Sequence, residues 1–451
     1  MRDIVLFIGL IGSVPFILRR PTLGVFLWVW VGVMSPHRLT WGFAYDFPFA
    51  QVIAIATLLG MLYTKEPKQL PANPALKVLF LMVLWMSITT VFAFYPSESM
   101  DMWLKVLKIQ FMLFITLYLL HTKQHVQVLM AVLAGSVAFY GIKGGIFTIK
   151  GGGEEMVLGP AGSFIEDNND LALAVVMTIP LLYFLYLQTR KRWLQWGLLA
   201  SMVLCGFSAL GSQSRGALLG IGAMLVFFWL KSRSKIAIGL MLVVLVPVAY
   251  QFMPEKWHAR MMTIENYEED NSAMGRINAW KMAINLTKDR PIIGGGFEIY
   301  NGDIFGRYAP NPRDIHAAHS IYFQVLGEHG YVGLALFMLL GILVWRDSSW
   351  IVRKARGRND LQWASDLARM IQVSMIGYAV GGAFLSLAYY DVPYNLLAVI
   401  VLTRRLVEKA PQSTAQKGWW KAKSDTNRPT IGDTQPAFRN LPKPPILTNR
   451  R

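Results

Sequence analysis

The chain has 451 residues, of which 54% are hydrophobic, 13% aromatic and only 16% charged. A soluble domain carries about a quarter charged residues, so a water-soluble globular fold is excluded. The net charge of +17 is read as Lys and Arg gathered in the cytoplasmic loops of a membrane protein, and not as a nucleic-acid surface.

Apolar runs of bilayer-spanning length recur along the chain. In order they are expected near 3–18, 21–35, 46–63, 74–94, 103–120, 125–142, 168–187, 193–210, 214–230, 235–252, 331–346, 366–389 and 393–407. The first two are short enough to form one hairpin, so about 12–14 transmembrane helices are expected. The runs are continuously apolar and do not alternate, which excludes a barrel and predicts an all-α polytopic integral membrane protein. Ile4 to Leu18 ends in Arg19-Arg20-Pro21, without a basic leader or a small-residue cleavage site, and reads as a span, not a cleaved signal. Cys205 is the single cysteine, so an intrachain disulfide and a cysteine metal cluster are excluded.

The basic loops alternate with loops poor in Lys and Arg. Arg19-Arg20, Lys65 and Lys68, Lys123, Arg190 to Arg192, Lys231 to Lys235 and Arg353 to Arg358 form the first set. Pro96 to Met102, Lys150 to Asp170 and Gly211 to Ser214 belong to the second. The positive-inside bias puts the first set in the cytoplasm. One long polar interruption, about Met253 to Gly330, then faces outward. From Arg404 to Arg451 there are 11 Lys and Arg against 3 Asp and Glu; this tail is expected to be cytoplasmic and, from its composition, disordered. The chain divides into an N-terminal transmembrane region (1–210), a core with the outer loop (211–346), C-terminal helices (347–408) and the tail (409–451).

Chemistry is expected in the outer loop. The acidic run Glu265 to Asp270 is followed by Ala273 to Leu286, whose Ile277, Trp280 and Ile284 share one helical face. That predicts an amphipathic helix lying on the membrane. Ile315 to Gly330 is a second helix, expected to lead straight into the next span with His319 at its start. His319 is a candidate general base, against the plainer reading of an interfacial histidine in an ordinary hydrogen bond; Tyr322 and Glu328 follow it. His316 and His319 are spaced i, i+3 like a metal pair, but no acid or cysteine is read at ligand spacing beside them, so no metal is expected.

Arg215 stands at the outer end of a span, where it opposes the positive-inside bias; snorkelling is its plainer reading. Arg276 lies in the amphipathic helix. Two outward guanidiniums near a histidine make an anion site, since the planar fork grips phosphate bidentately. Gly294-Gly295-Gly296 lacks the Lys and Ser/Thr of a phosphate loop and reads as a turn that allows close backbone approach. In Glu166-Asp167-Asn168-Asn169-Asp170, helix capping stands against contacts to sugar hydroxyls. Lys105 and Lys108, near the outer end of a span, either snorkel or add to an anion site.

These residues carry a resemblance. Ser214-Arg215-Gly216-Ala217-Leu218-Leu219, Gly275-Arg276 with Trp280, Pro291 to Phe297, His319-Ser320-Ile321-Tyr322 and Glu328-His329-Gly330 resemble the O-antigen ligase and Wzy polymerase superfamily in order and spacing from about Gly211 to Val344. Met34-Ser35-Pro36-His37-Arg38-Leu39 and Trp41 to Ala44 resemble its branch of putative O-glycosylation ligases associated with exosortase systems. The resemblance implies a membrane glycosyltransferase of GT-C type in the bacterial inner membrane. It would transfer a preassembled glycan from undecaprenyl diphosphate, on the periplasmic face, to a hydroxyl of lipid A-core or of a protein. It implies His319, Arg215 and Arg276 as the catalytic set; Tyr322, His316, Glu328, Asn168, Asn169, Arg38 and Trp280 are candidate substrate-binding residues beside it. It also implies no metal or other cofactor. Membrane lipids and envelope-assembly proteins are the other partners expected, and nucleic acid is not one.

The activated diphosphate donor fits the absence of ATP outside the cytoplasm. The nearest rival is a Wzy-type polymerase, whose acceptor is another lipid-linked glycan. A transporter or flippase would favour inverted repeats and paired intramembrane charges, and no repeat is found. A noncatalytic envelope scaffold is the third alternative.

Overall fold

A computed structural model describes residues 1–231, 235–255, 257–258 and 271–411. The acidic run at 265–270, part of the basic stretch at 231–235 and the tail beyond 411 lie outside the described residues. Helices account for all the regular structure among those described. They are α1 (Arg2–Gly12), α2 (Val14–Arg19), α3 (Pro21–Met34), α4 (Phe49–Tyr63), α5 (Pro74–Val91), α6 (Pro96–Leu119), α7 (Lys123–Lys150) and α8 (Asn168–Gln188). There follow α9 (Arg192–Gly211), α10 (Arg215–Lys231), α11 (Lys235–Phe252), α12 (Asn271–Asp289), α13 (Gly302–Tyr308), α14 (Ile321–Lys354), α15 (Gln362–Gly381) and α16 (Asp391–Lys409). Among the described residues seven helices are long and apolar enough to cross a membrane, and α3, α4 and the segment Arg215–Leu230 are shorter apolar helices. The first expected span is broken at Ser13 into α1 and α2.

Four of the described helices, α5, α7, α8 and α13, start at a side-chain cap. The Asn73 side chain accepts the Ala75 amide at 2.7 Å, ahead of Pro74; the Thr122 hydroxyl accepts that of His125 and the Asp167 carboxylate that of Asn169. Each such cap contributes about 1 kcal/mol.

Loops gather at two ends of the bundle. At one end the Gln69 amide reaches the Tyr118 carbonyl, Lys123 lies over Trp363, and Asp347 is joined to Arg404 and Asn73. At the other, Ser99 donates to the Phe297 carbonyl, the Phe94 amide to that of Gly295 and Asn168 to that of Ser212. This second end holds the long polar loop and is called the loop end below.

The loop is stitched to α14 backbone to backbone. Gly295 and Gly296 amides donate to the Gly327 and Glu328 carbonyls at 2.9 and 2.8 Å, and the Tyr331 amide to that of Pro291 at 2.9 Å. Such close approach requires glycine on both sides. A Cβ on Gly294 (φ +62°) would lie 2.6 Å from the Gly327 carbonyl oxygen, and one on Gly330 (φ +66°) would collide with that of Ile292. The close-approach turn expected at Gly294–Gly296 therefore forms, and Gly330 breaks α14 with non-helical torsions. Three of its backbone groups are turned over to the loop.

Two expectations are corrected here. The helix over Ile315 to Gly330 begins only at Ile321 and is kinked at Gly330, so it does not run straight on. The preceding backbone has other partners. Asn278 donates to the Asn311 and Asp314 carbonyls at 2.8 and 2.9 Å, and Trp280 to that of Ala318 at 2.7 Å. The α12 helix forms, but its fully buried face is Ala279, Met282, Ala283 and Leu286, not Ile277, Trp280 and Ile284, which stay half-buried. The small residues let α12 pack on Ile299, Ile304 and Phe305. The loop thus has an apolar core of its own.

Candidate functional site

Arg276, His319 and Arg215 come from three separate stretches. Arg276 is on α12. His319 lies in the extended segment before α14, not in its first turn as expected, and its backbone is left-handed (φ +41°). For a residue with a Cβ such torsions cost about 1–3 kcal/mol and persist only where the surroundings impose them. They are imposed from both sides: the Ala318 carbonyl is held by Trp280, and the Ser320 carbonyl accepts the Gln324 amide at 2.9 Å as α14 starts. Trp280 is itself stacked on Phe323, with centroids 5.0 Å apart and planes 18° apart.

Burial holds the His319 imidazole below the ordinary histidine pKa, and Arg276 pushes it the same way. Asp167 opposes them, while His316 adds a smaller push down. His319 is therefore neutral at pH 7 and able to accept a proton. The His316 ring lies against the α12 backbone, where a Cβ on Gly275 would come within 2.6 Å of its Nδ1. Asp314 stands 2.9 Å from that same nitrogen, an acid beside His316 that the spacing argument overlooked. Among the described residues no three His, Cys, Asp or Glu side chains are grouped to hold a metal ion.

The start of α8 lies within electrostatic reach of this arrangement. Asp167 faces His319 electrostatically, and Asp170 faces Arg276 and the Ser386 amide. Asn168, buried, donates to the Ser212 carbonyl at 2.7 Å. That bond fixes the turn before Arg215, the first residue of α10. The same turn is held by Gln213 (φ +57°), which donates to the Gly153 carbonyl at 3.1 Å, and by Ser214, whose hydroxyl accepts the Ala217 amide. Phe384 is a shared neighbour: its ring lies 6.2 Å from that of Trp280, and its Cβ would be 3.1 Å from a Cβ on Gly216. Gly216, next to Arg215 in the chain, and Trp280, one turn along α12 from Arg276, thus border one aromatic side chain.

The remaining candidates divide. Asn169 is spent on Asp167 and Asn168, and Trp280 on Ala318. The Tyr322 hydroxyl donates to the Ala379 carbonyl at 2.8 Å. Glu328 is buried farther along α14, where it accepts the Tyr389 hydroxyl at 2.5 Å. Arg38 lies 3.4 Å from Asp46 and over the Tyr45 ring at 4.5 Å. Lys105 sits 4.0 Å above the Phe164 ring, within electrostatic reach of Arg38, Glu298 and Asp391; Lys108 lies three residues further along, near the middle of α6.

Sequence reasoning weighed helix capping against sugar contacts for Glu166 to Asp170, and missed Ser386, Tyr390 and Asp391. An acid at the very edge of the last apolar run was the available signal for Asp391.

An apolar groove of about 290 Å³ opens between α14, α15 and α16. It starts at Ile321 and Tyr322, next to the His319 segment, and continues along Phe337 and Leu340 to Trp345. Its α14 walls are thus Ile321 and Tyr322 from the start of the helix and residues between Phe337 and Trp345 from beyond the break at Gly330.

Fold and site together define a multi-pass helical membrane protein with a histidine–arginine site at one end of its bundle. Residues 200–338, the stretch that contains Arg215, Arg276 and His319, match the O-antigen ligase family model. The match covers 139 of the 451 residues and shows what this stretch is similar to. Residues 1–190 match a family of unknown function, DUF5935. Comparison with curated proteins gives no match.

Proposed function

We propose that the protein is a glycan ligase of the bacterial inner membrane. It transfers a preassembled glycan from undecaprenyl diphosphate to an acceptor hydroxyl on the periplasmic face. The observation that carries this reading is Arg276 beside a neutral His319, inside the stretch that matches the O-antigen ligase family.

In this mechanism neutral His319 takes the proton of the acceptor hydroxyl as its oxygen attacks C1 of the donor sugar. The C1–O bond to the diphosphate breaks on the opposite face, so the configuration at C1 inverts. Negative charge grows on the leaving diphosphate and is met by the guanidiniums of Arg215 and Arg276, the electrostatic role that a metal serves in many transferases. The groove from Ile321 to Trp345 supports a donor carried on a long isoprenoid chain. Lipid A-core and protein hydroxyls are the acceptors this reading favours. The large loop then covers the site from the periplasm, and the basic tail is cytoplasmic.

The test supplies purified protein in lipid nanodiscs, in EDTA, with labelled undecaprenyl-diphosphate glycan and three acceptors: lipid A-core, a hydroxyl-bearing peptide and a second lipid-linked glycan. Label on either of the first two is the expected result. Label on the lipid-linked glycan identifies a polymerase instead, and transfer to none of them defeats the reading. Transfer lost in EDTA and restored by a divalent ion refutes the metal-free mechanism.

A further inference from the structure

Beside the proposed catalytic set lies a knot of buried polar atoms that the mechanism does not use. Asp170 Oδ1, the Tyr390 hydroxyl, Ser386 Oγ and Asp391 Oδ1 are all covered from solvent and have no hydrogen-bond partner. Tyr390 keeps 2% and Asp391 5% of their surface exposed. The atoms belong together: Asp170 meets the Ser386 amide, and Tyr390 feels both Asp170 and Asp391. Phe164 closes the group, 6.5 Å from the Tyr390 ring. Leaving one buried polar group unsatisfied costs about 1–3 kcal/mol, and native proteins tolerate few of them. Four in one place mark a site whose partners arrive with a ligand or with water.

The surroundings indicate which ligand. The knot has a cation at each side: Arg276 faces Asp170, and Lys105 faces Asp391. Two carboxylate oxygens and two hydroxyls at the centre suit a ring that bears several hydroxyls; the flanking cations suit an attached phosphate. The Phe164 ring, already under the Lys105 ammonium at 4.0 Å, offers an apolar face for the C–H side of such a ring. Asp170 keeps part of its surface exposed, so the knot is reached past α8.

We propose that Asp170, Tyr390 and Ser386, with Asp391 behind them, bind the sugar attached directly to the diphosphate of the donor and read its hydroxyl pattern. This inference rests on the proposed function. Asp170 and Tyr390 accept from or donate to the sugar hydroxyls while Arg276 holds the phosphate, so the subsite fixes C1 against the attack of the acceptor oxygen that His319 deprotonates.

The experiment uses the full-length protein in nanodiscs with three probes. They are the complete lipid-linked donor, the same donor lacking single hydroxyls on its first sugar, and sugar-free undecaprenyl diphosphate as a competitor. Tyr390→Phe removes one unpartnered hydroxyl, so the melting temperature should hold or rise. Its kcat/KM for the complete donor should fall by about 10- to 100-fold, the effect of losing a hydrogen bond in a buried site. Affinity for the sugar-free diphosphate should not change. Asp170→Asn should likewise weaken use of the complete donor, yet bind the sugar-free diphosphate as well or better, because a carboxylate competing for Arg276 is gone. One deoxy donor should be poor for the wild type and cost Tyr390→Phe nothing further.

Unaltered kinetics for both variants overturn the proposal. So does an equal loss of affinity for the sugar-bearing and sugar-free lipids, which would mean that the two residues act only through Arg276 or through the fold. Failure of the wild type to bind either lipid refutes the proposed function and this subsite with it.

Discussion

The two ends of the bundle handle polar groups in opposite ways. At the end away from the loop, Asp347 is 1% exposed and satisfied three times over: Arg404 at 2.5 Å, Asn73 at 2.7 Å and Arg346 at 3.5 Å. Beside it Arg405 is shared between the Gln69 side chain and His121. Glu66 Oε2 is an exception there, lacking a partner. At the loop end the list of unpartnered atoms is long and includes Asp170, Ser320, Gln324, Tyr390 and Asp391. All four described non-glycine residues with positive φ, Ser35, Gln213, Glu298 and His319, are also there. Strain and unsatisfied polarity both lower stability, so a fold keeps them where binding or chemistry makes use of them. One end satisfies its polar groups, and the other keeps the strain and the unpartnered atoms.

The contrast can be broken or sharpened by experiment. The largest effect is expected from His319→Ala, which should slow glycan transfer by about 10²- to 10⁴-fold, the range for losing a general base. Normal turnover would remove His319 from the chemistry. Arg215→Lys and Arg276→Lys keep the charge but lose the planar fork; each should reduce kcat by about 10²-fold. Donor titration of the two variants at saturating acceptor is the check, and unchanged rates would count against the diphosphate role.

At the opposite end Arg404→Ala should act on stability alone. It strips the closest cation from a buried carboxylate, a change that costs about 3–5 kcal/mol where no partner remains; with Asn73 and Arg346 still present the loss should fall near the low end. A clear drop in melting temperature with unaltered transfer per folded molecule would bear out the division of labour. Gly330→Ala tests the seam between loop and α14. Its clash and positive φ should cost about 1–3 kcal/mol, and proteolysis of the loop should accelerate well before the helices melt.

The smallest effect is on pH. Burial and Arg276 both hold the His319 pKa below its ordinary value, so its base form persists into mildly acidic solution. The acid limb of transfer should therefore lie at lower pH than an ordinary histidine base, with its pKa of 6.5, would give. Arg276→Gln removes one of the three downward pushes, and the acid limb of its residual rate should move to higher pH. An acid limb that moves down would mean that Arg276 does not face His319 in the working enzyme.

Much of the loop end was legible in advance because its signals are local. Continuous apolar runs can only be helices in lipid, and Gly294–Gly296 announces close backbone approach wherever it is placed. Arg215, Arg276 and His319 stand out because charge beside apolar spans is costly. Other features depend on partners far away in the chain. Nothing near His319 says that Trp280 and Asn278 will take up its segment's carbonyls and keep it out of a helix. Nothing in α12 says that Ala279 and Met282 will be buried ahead of Ile277, because that choice is made by Ile304 and Phe305.

The sequence by itself therefore determined the membrane class, the helices, the existence of one long polar loop and the residue types able to grip a diphosphate and move a proton. Those follow from composition and from periodicity along a single stretch of chain. Only the tertiary structure decided that the start of α8 would come within electrostatic reach of Arg276 and His319, and that Asp170, Tyr390 and Asp391 would meet beside them. These groups are separated by up to about 220 positions, and their meeting is set by how α8, α12, α14 and α16 pack, which no local pattern encodes.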